Sequence, residues 1–269
     1  MTQFLARREH FDSVGSTNDV VRAWLAAGTP EVALATAEEQ TAGRGREGRR
    51  WIAPPGAAIL LSLGFRPTWL EPERVWRLAA LASLAMADAS EAEAGLQAGS
   101  IRLKWPNDLV IETSATEVRK VAGVLGETDG LGTPDPRVVV GLGLNADWEP
   151  SGFPPDLAAG MTSLSEAAGG RPIDASRVLD AFVEQLESGV DDLRAGHFDD
   201  AAWERRQVTT GRTIRLETPY GDEVVRALGV NAWTGALVVD DAKGLTGKRN
   251  VLVGEIRHVR LADPIAESV

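Results

Sequence analysis

Polar and apolar positions along the chain change period several times, and each change marks an element. Val20, Val21, Trp24 and Leu25 recur at one-face helical spacing behind Ser16-Thr17, with Gly28 closing the run. Residues 32–36 form a short apolar run that predicts a buried strand, and residues 57–65 predict a second in the middle of a sheet. An Ala/Leu-rich helical pattern runs from residue 71 to about residue 93, with Glu71-Pro72-Glu73 at its start. Ile101, Leu103 and Trp105 then alternate with Arg102 and Lys104, a period of two. Pro106-Asn107-Asp108 has turn chemistry, and Leu109-Val110-Ile111 starts a return strand that ends in a polar tip over residues 112–119. Residues 120–128 and 137–145 are two further strands. Helices are expected from Asp156 and over residues 175–193, the second carrying a core stripe of Val178, Leu179, Phe182, Val183 and Leu186. Successive hairpins with packed helices predict an α+β fold on a mixed, mainly antiparallel sheet.

Near Thr209 the texture shifts to short β-prone runs with glycine-rich turns, at residues 213–217, 224–230, 236–239 and 255–261. This predicts a small barrel, and hence domains at residues 1–208 and 209–269. A chain of 269 residues is long enough for one sizeable core and a smaller one.

Composition removes several function classes. There is no cysteine, so thiolate metal sites, disulfides and cysteine nucleophiles are excluded. His10, His197 and His258 are too scattered for a metal site. No apolar run reaches membrane-spanning length, and charges at Arg7, Arg8, Glu9 and Asp12 interrupt any leader, so a cytoplasmic protein without membrane contact is expected. The 28 basic residues against 39 acidic, net −11, argue against a nucleic-acid partner.

Against that acidic background, residues 43–51 read Gly43-Arg44-Gly45-Arg46-Glu47-Gly48-Arg49-Arg50-Trp51, with four arginines against one glutamate. Glycines free the backbone while guanidinium groups suit phosphate and carboxylate oxygens. Gln40, Ser16, Thr17 and Asn18 add uncharged polar groups; the Ser-Thr-Asn run is also a plain helix cap. Lys104-Trp105-Pro106-Asn107-Asp108 is either a hairpin turn whose amide and carboxylate serve the backbone, or a stiff platform that aims Asp108 at a metal or hydroxyl. Lys120 enters the apolar strand Val121-Ala122-Gly123-Val124-Leu125, where its charge needs either an anion or an escape to water. Gly123 permits a close approach to the backbone, and Gly141-Leu142-Gly143-Leu144-Asn145 repeats the device.

In this order, the five segments resemble the biotin protein ligase family. They are Ser-Thr-Asn, Gln-x-x-Gly-Arg-Gly-Arg-x-Gly-Arg-x-Trp, Lys-Trp-Pro-Asn-Asp, Lys-Val-Ala-Gly-Val-Leu-x-Glu and Gly-x-Gly-x-Asn. Gly-Glu-Ile-Arg-His-Val-Arg at residues 254–260 resembles that family's small C-terminal domain. The resemblance implies a class II synthetase-like catalytic domain with an SH3-like barrel. It implies activation of biotin by ATP as biotinyl-5′-AMP with Mg2+, then transfer to a lysine of the biotin carboxyl carrier domain of biotin-dependent carboxylases. Ser16, Thr17, Asn18, Gln40, Gly43, Arg44, Gly45, Arg46, Lys120 and Gly123 would surround biotin. Arg46, Arg49, Arg50, Trp51, Lys104, Asn107 and Asn145 would meet the nucleotide. Lys120, Arg44 and Asp108 would be catalytic, with Asp108 also the metal ligand. Because Ser-Thr-Asn begins at residue 16, a DNA-binding repressor domain is not expected ahead of it. The rivals are a lipoate ligase and a biotin- or nucleotide-sensing protein without catalysis.

Overall fold

The computed structural model describes residues 4–114, 117–241, 247–256 and 258–262. Arg257 of the C-terminal motif, two residues of the polar tip and the last seven residues of the predicted small domain lie outside them.

The period-two segments assemble into one seven-stranded sheet: β1 (Arg7–Val14), β2 (Ala33–Gln40), β3 (Ala58–Phe65), β4 (Ile101–Lys104), β5 (Asp108–Glu112), β6 (Val118–Asp129) and β7 (Arg137–Asn145). Their order is β1-β2-β3-β7-β6-β5-β4. Only β1 and β2 run parallel, so the sheet is mixed and mainly antiparallel, as expected. The edge strand β1 is absent from the sequence reading because its side chains are mostly exposed and polar.

Strand alternation sorts the two faces. Leu34, Leu61, Leu63, Val140, Leu142 and Leu144 pack with α2 (Trp76–Ala94) and with the Phe182 and Leu186 stripe of a further helix, Ala175–Arg194. That second helix starts where Asp174 accepts hydrogen bonds from the Ser176 and Arg177 N–H groups. The opposite face carries Ala33, Ala35 and Val139 under α1 (Thr17–Ala26), which contributes Val21, Trp24 and Leu25. Residues 72–74 form a separate 3₁₀ turn, so α2 begins later than its sequence pattern.

The helix expected from Asp156 does not form. Pro154 and Pro155 precede it, and the segment makes only a 3₁₀ turn at Ala158–Gly160 before the one-turn helix α3 (Leu164–Ala167). The long C-terminal helix is therefore α4, and α5 (Asp200–Arg205) follows it.

The predicted β-prone runs of the last part of the chain form a second sheet, with β11 as an additional strand: β8 (Thr213–Thr218), β9 (Gly221–Val230), β10 (Leu237–Asp240), β11 (Lys248–Val251) and β12 (His258–Leu261). It is antiparallel, ordered β11-β10-β9-β8-β12. Its core of Ile214, Leu216, Leu237, Val239 and Val259 takes in Trp105 from the larger unit. Among the described residues no helix is long and apolar enough to cross a membrane.

Candidate functional site

Cross-strand register places the candidate residues in a single row. Lys104 pairs with Asp108, Asp108 with Gly123, and Gly123 with Gly143. A bulge at Val121, between the pairs Leu109–Ala122 and Val110–Lys120, breaks the alternation of β6. It turns Lys120 onto the face of Gly123, where a Cβ on that glycine would lie 3.0 Å from Lys120 Nζ. Lys120 Nζ is 2.6 Å from Asp108 Oδ1, and the buried Lys104 Nζ is 3.7 Å from Oδ2. Two ammonium groups thus share one carboxylate. Burial lowers the Lys104 pKa, Asp108 opposes that shift, and the positive charges of Lys120, Arg260 and Arg49 add to it.

The glycine-arginine loop closes above this row as a hairpin. Trp51 N–H donates to Gly43 O at 3.0 Å and Gly45 N–H to Arg49 O at 2.7 Å. Gly43 is needed at the neck, because a Cβ there would collide with the Trp51 carbonyl; it does not line the cavity. Trp51 lies over Gly143, where a Cβ would be 2.5 Å from the indole, and Lys120 Nζ is 5.4 Å from the Trp51 ring centroid. Arg44 grips Asp19 with both terminal nitrogens at 2.7 Å and approaches Glu127 at 3.6 Å. The hydrogen bonds raise the Arg44 pKa and lower that of Asp19. Arg46 reaches the second sheet, donating to Val253 O at 2.8 Å and Ile256 O at 3.2 Å. Arg50 donates to Thr41 O at 3.3 Å.

The polar nest forms where α1 meets β2 and β3. Gln40 Oε1 accepts from the Thr17 N–H at 2.8 Å and its hydroxyl at 3.1 Å, so Gln40 satisfies the helix terminus. Ser16 sits in the cap position but its side chain makes no capping bond. Ser62 donates to Asn18 Oδ1 at 2.5 Å, and Asn18 Nδ2 donates to Glu127 at 2.6 Å.

A cavity of about 1060 Å³ joins nest, loop and charged row. Ser16, Thr17, Asn18, Gln40, Arg44, Gly45, Arg46, Arg49, Arg50, Trp51, Lys104, Asn107, Asp108, Lys120 and Gly123 all face it. The Asn107 amide serves the turn, donating to Val124 O at 2.9 Å. Asn145 is fully buried outside the cavity lining; its Nδ2 donates to Thr162 O at 2.9 Å, while its Oδ1 has no partner among the described residues. Trp148, Phe153, Met161 and Arg260 also line the cavity and escaped the sequence reading, since they lie on segments without periodicity or on the second sheet. Among the described residues no three carboxylate or imidazole groups converge, and Asp108, expected as the magnesium ligand, is held between two lysines.

The loop, the polar nest and the Lys104–Asp108–Lys120 row thus surround one cavity, and the chain that builds it is a ligase. The chain belongs to the Biotin/lipoate A/B protein ligase family, whose model matches residues 10–145. It is 35% identical over 251 residues to the biotin–[acetyl-CoA-carboxylase] ligase of Mycobacterium tuberculosis, covering 91% of this chain and 86% of that protein. It is 30% identical over 238 residues to the bifunctional ligase/repressor BirA of Bacillus subtilis, covering 88% and 70%. The fold matches the biotin protein ligase of Aquifex aeolicus solved with biotin and ATP, with a TM-score of 0.76 at 22% identity over 95% of this chain and 99% of that one.

Proposed function

We propose that this ligase activates biotin with ATP as biotinyl-5′-AMP and passes it to one lysine of a biotin carboxyl carrier domain. Residues 1–208 would form the catalytic unit. The observation that carries the reading is the single cavity in which an uncharged nest and a net-positive Lys104–Asp108–Lys120 row share one floor. Biotin's neutral ring system suits the hydroxyl and amide groups of Ser16, Thr17, Asn18 and Gln40. Its carboxylate and the triphosphate suit the row and the loop arginines.

The physical obstacle to the first step is that two anions must touch. Opposite unit charges about 4 Å apart attract by about 4 kcal/mol at an effective dielectric of about 20, so Lys120 and Lys104 can offset that repulsion. A carboxylate oxygen of biotin attacks the α-phosphorus while the bond to pyrophosphate breaks, giving a mixed anhydride. The neutral amine of the carrier lysine then attacks the carbonyl carbon, AMP departs with the bridging oxygen, and the nitrogen releases a proton. The closed Arg loop keeps water from the anhydride. Asp108 holds the two lysines in place.

The test combines the protein with ATP, magnesium, labelled biotin and a carrier domain, with lipoic acid alongside. Biotin should appear on one carrier lysine, and Lys120→Met should slow adenylate formation by roughly a hundredfold. Preferential use of lipoic acid, or undiminished turnover in Lys120→Met, would sink the reading.

A further inference from the structure

A carrier lysine reaches solvent-exposed surfaces as an ammonium, yet the cavity it must enter is cationic. Among the described residues, eight cationic side chains line that cavity against three carboxylates, Asp108, Glu117 and Asp156. Some of the cations are neutralised from behind the wall, as Arg119 is by Glu166 at 2.5 Å and Arg44 by Asp19 at 2.7 Å. Asp108 is taken up by Lys104 and Lys120 in the interior. Glu117 and Asp156 differ from it: both are exposed, and neither forms an ion pair among the described residues. In a chain of net charge −11 an exposed acid needs no explanation by itself. These two stand apart because they line a cavity whose other charges are almost all positive.

Each carboxylate is placed by its own turn. Glu117 closes the β5–β6 hairpin, where its N–H donates to Ser114 Oγ at 3.1 Å and its carbonyl accepts from the Thr113 N–H at 3.1 Å. Asp156 sits on the turn begun by Pro154, whose carbonyl accepts from the Leu157 and Ala158 N–H groups, each at 2.9 Å. The same turn presents Leu157, 51% exposed, and the segment after Trp51 presents Ile52, 57% exposed; both also line the cavity. Residues that line a cavity and still face solvent lie at its rim. That rim is therefore anionic and apolar where the interior is cationic and polar.

We propose that this rim is the docking surface for the carrier domain, with Glu117 and Asp156 drawing in its lysine ammonium and Leu157 and Ile52 packing against the turn that bears it. The proposal rests on the transfer reading above. Charges at the edge of an interface act mainly on the encounter and its salt dependence. Beyond the rim the surroundings reverse. Positive charge close to an amine favours its neutral form, which is the form that attacks the anhydride. The carboxylates thus serve the second substrate, and the interior cations serve the first two.

The experiment reads the half-reactions separately: pyrophosphate release in a single turnover with ATP and biotin, then biotin transfer at varied concentrations of the carrier domain. Glu117→Gln and Asp156→Asn should each raise the carrier KM by roughly twofold to fivefold, and the rise should fade at about 1 M salt, where the screening length falls to about 3 Å. Leu157→Ser should raise the same KM by roughly threefold or more at low and high salt alike. Pyrophosphate release should stay at the wild-type rate in all three. Glu187→Gln makes the same charge change at an exposed position of α4, on the far face of the sheet, and should alter neither step. An unchanged carrier KM in both carboxylate variants, a rise matched by Glu187→Gln, or an equal loss in pyrophosphate release overturns the proposal. A wild-type enzyme that releases pyrophosphate but biotinylates no carrier lysine removes the transfer reading itself, and the docking surface with it.

Discussion

At Gly141 and Gly143 the same substitution should have different consequences. A Cβ at Gly141 would overlap Asn18 Oδ1, which is buried and tied to Ser62, while its amide nitrogen is tied to Glu127. Both ends of the Asn18 amide are thus held, so moving it breaks a hydrogen bond. Gly141→Ala should therefore cost about 1–3 kcal/mol of stability through overpacking and weaken biotin binding as the nest is displaced. At Gly143 the neighbour is the Trp51 indole, carried on a surface loop. That ring can lift, so Gly143→Ala should leave the melting temperature nearly unchanged and speed protease cleavage of the loop. Thermal unfolding together with limited proteolysis checks both, and the reverse pattern would contradict the packing argument. The sequence reveals that something approaches these strand glycines. It does not reveal what approaches, because Asn18 and Trp51 come from elements far away along the chain.

The glycine-arginine loop is fastened at two points, to α1 through Arg44–Asp19 and to the second sheet through Arg46. Hydrogen bonds from charged donors contribute about 1.5–3 kcal/mol each, so losing those of Arg46 should shift loop opening by roughly tenfold or more. Arg46→Ala should thus be cut faster within residues 43–51 while global unfolding barely moves. Cleavage at the wild-type rate would show that the second sheet does not restrain the loop. Among the elements, those whose burial follows a simple period were legible: the alternation at residues 101–105, the apolar β3, and the stripe of α4. Those built by partners were not. Strand β1 has a polar face because it is an edge, and β11 reads Lys-Arg-Asn-Val. Residues 146–163 take their course from tertiary bonds, such as Thr162 to Lys120 and Arg119 to Met161. The candidate site divides in the same way. Its residue types were visible in the motifs, whereas the bulge that aims Lys120, the Asp19 partner of Arg44 and the Arg119–Glu166 ion pair exist only once strands pair.

For the whole molecule, the decisive residue is Trp105. It lies between Lys104, at one end of the charged row, and the turn leading to Asp108, yet its ring is buried in the core of the second sheet. Its indole N–H donates to Gly235 O at 2.9 Å, and its backbone N–H donates to Thr209 Oγ1 at 3.1 Å. Arg77 to Ala232 O and the Trp76 indole to Trp233 O tie α2 to the same sheet. The second sheet therefore holds both the turn beneath the row and, through Arg46, the loop above it. Trp105→Ala should open a cavity costing about 3–5 kcal/mol, whereas Trp105→Phe keeps most of the packing and loses chiefly the indole hydrogen bond, about 1 kcal/mol. If the two cores are joined mainly through this ring, wild type and Trp105→Phe should unfold in one denaturant transition. Trp105→Ala should split it, with the small sheet melting first and adenylate formation lost at the denaturant concentration where that sheet melts, before the seven-stranded sheet unfolds. Activity that instead persists until the larger sheet unfolds would mean that the row and loop hold their geometry without the second sheet.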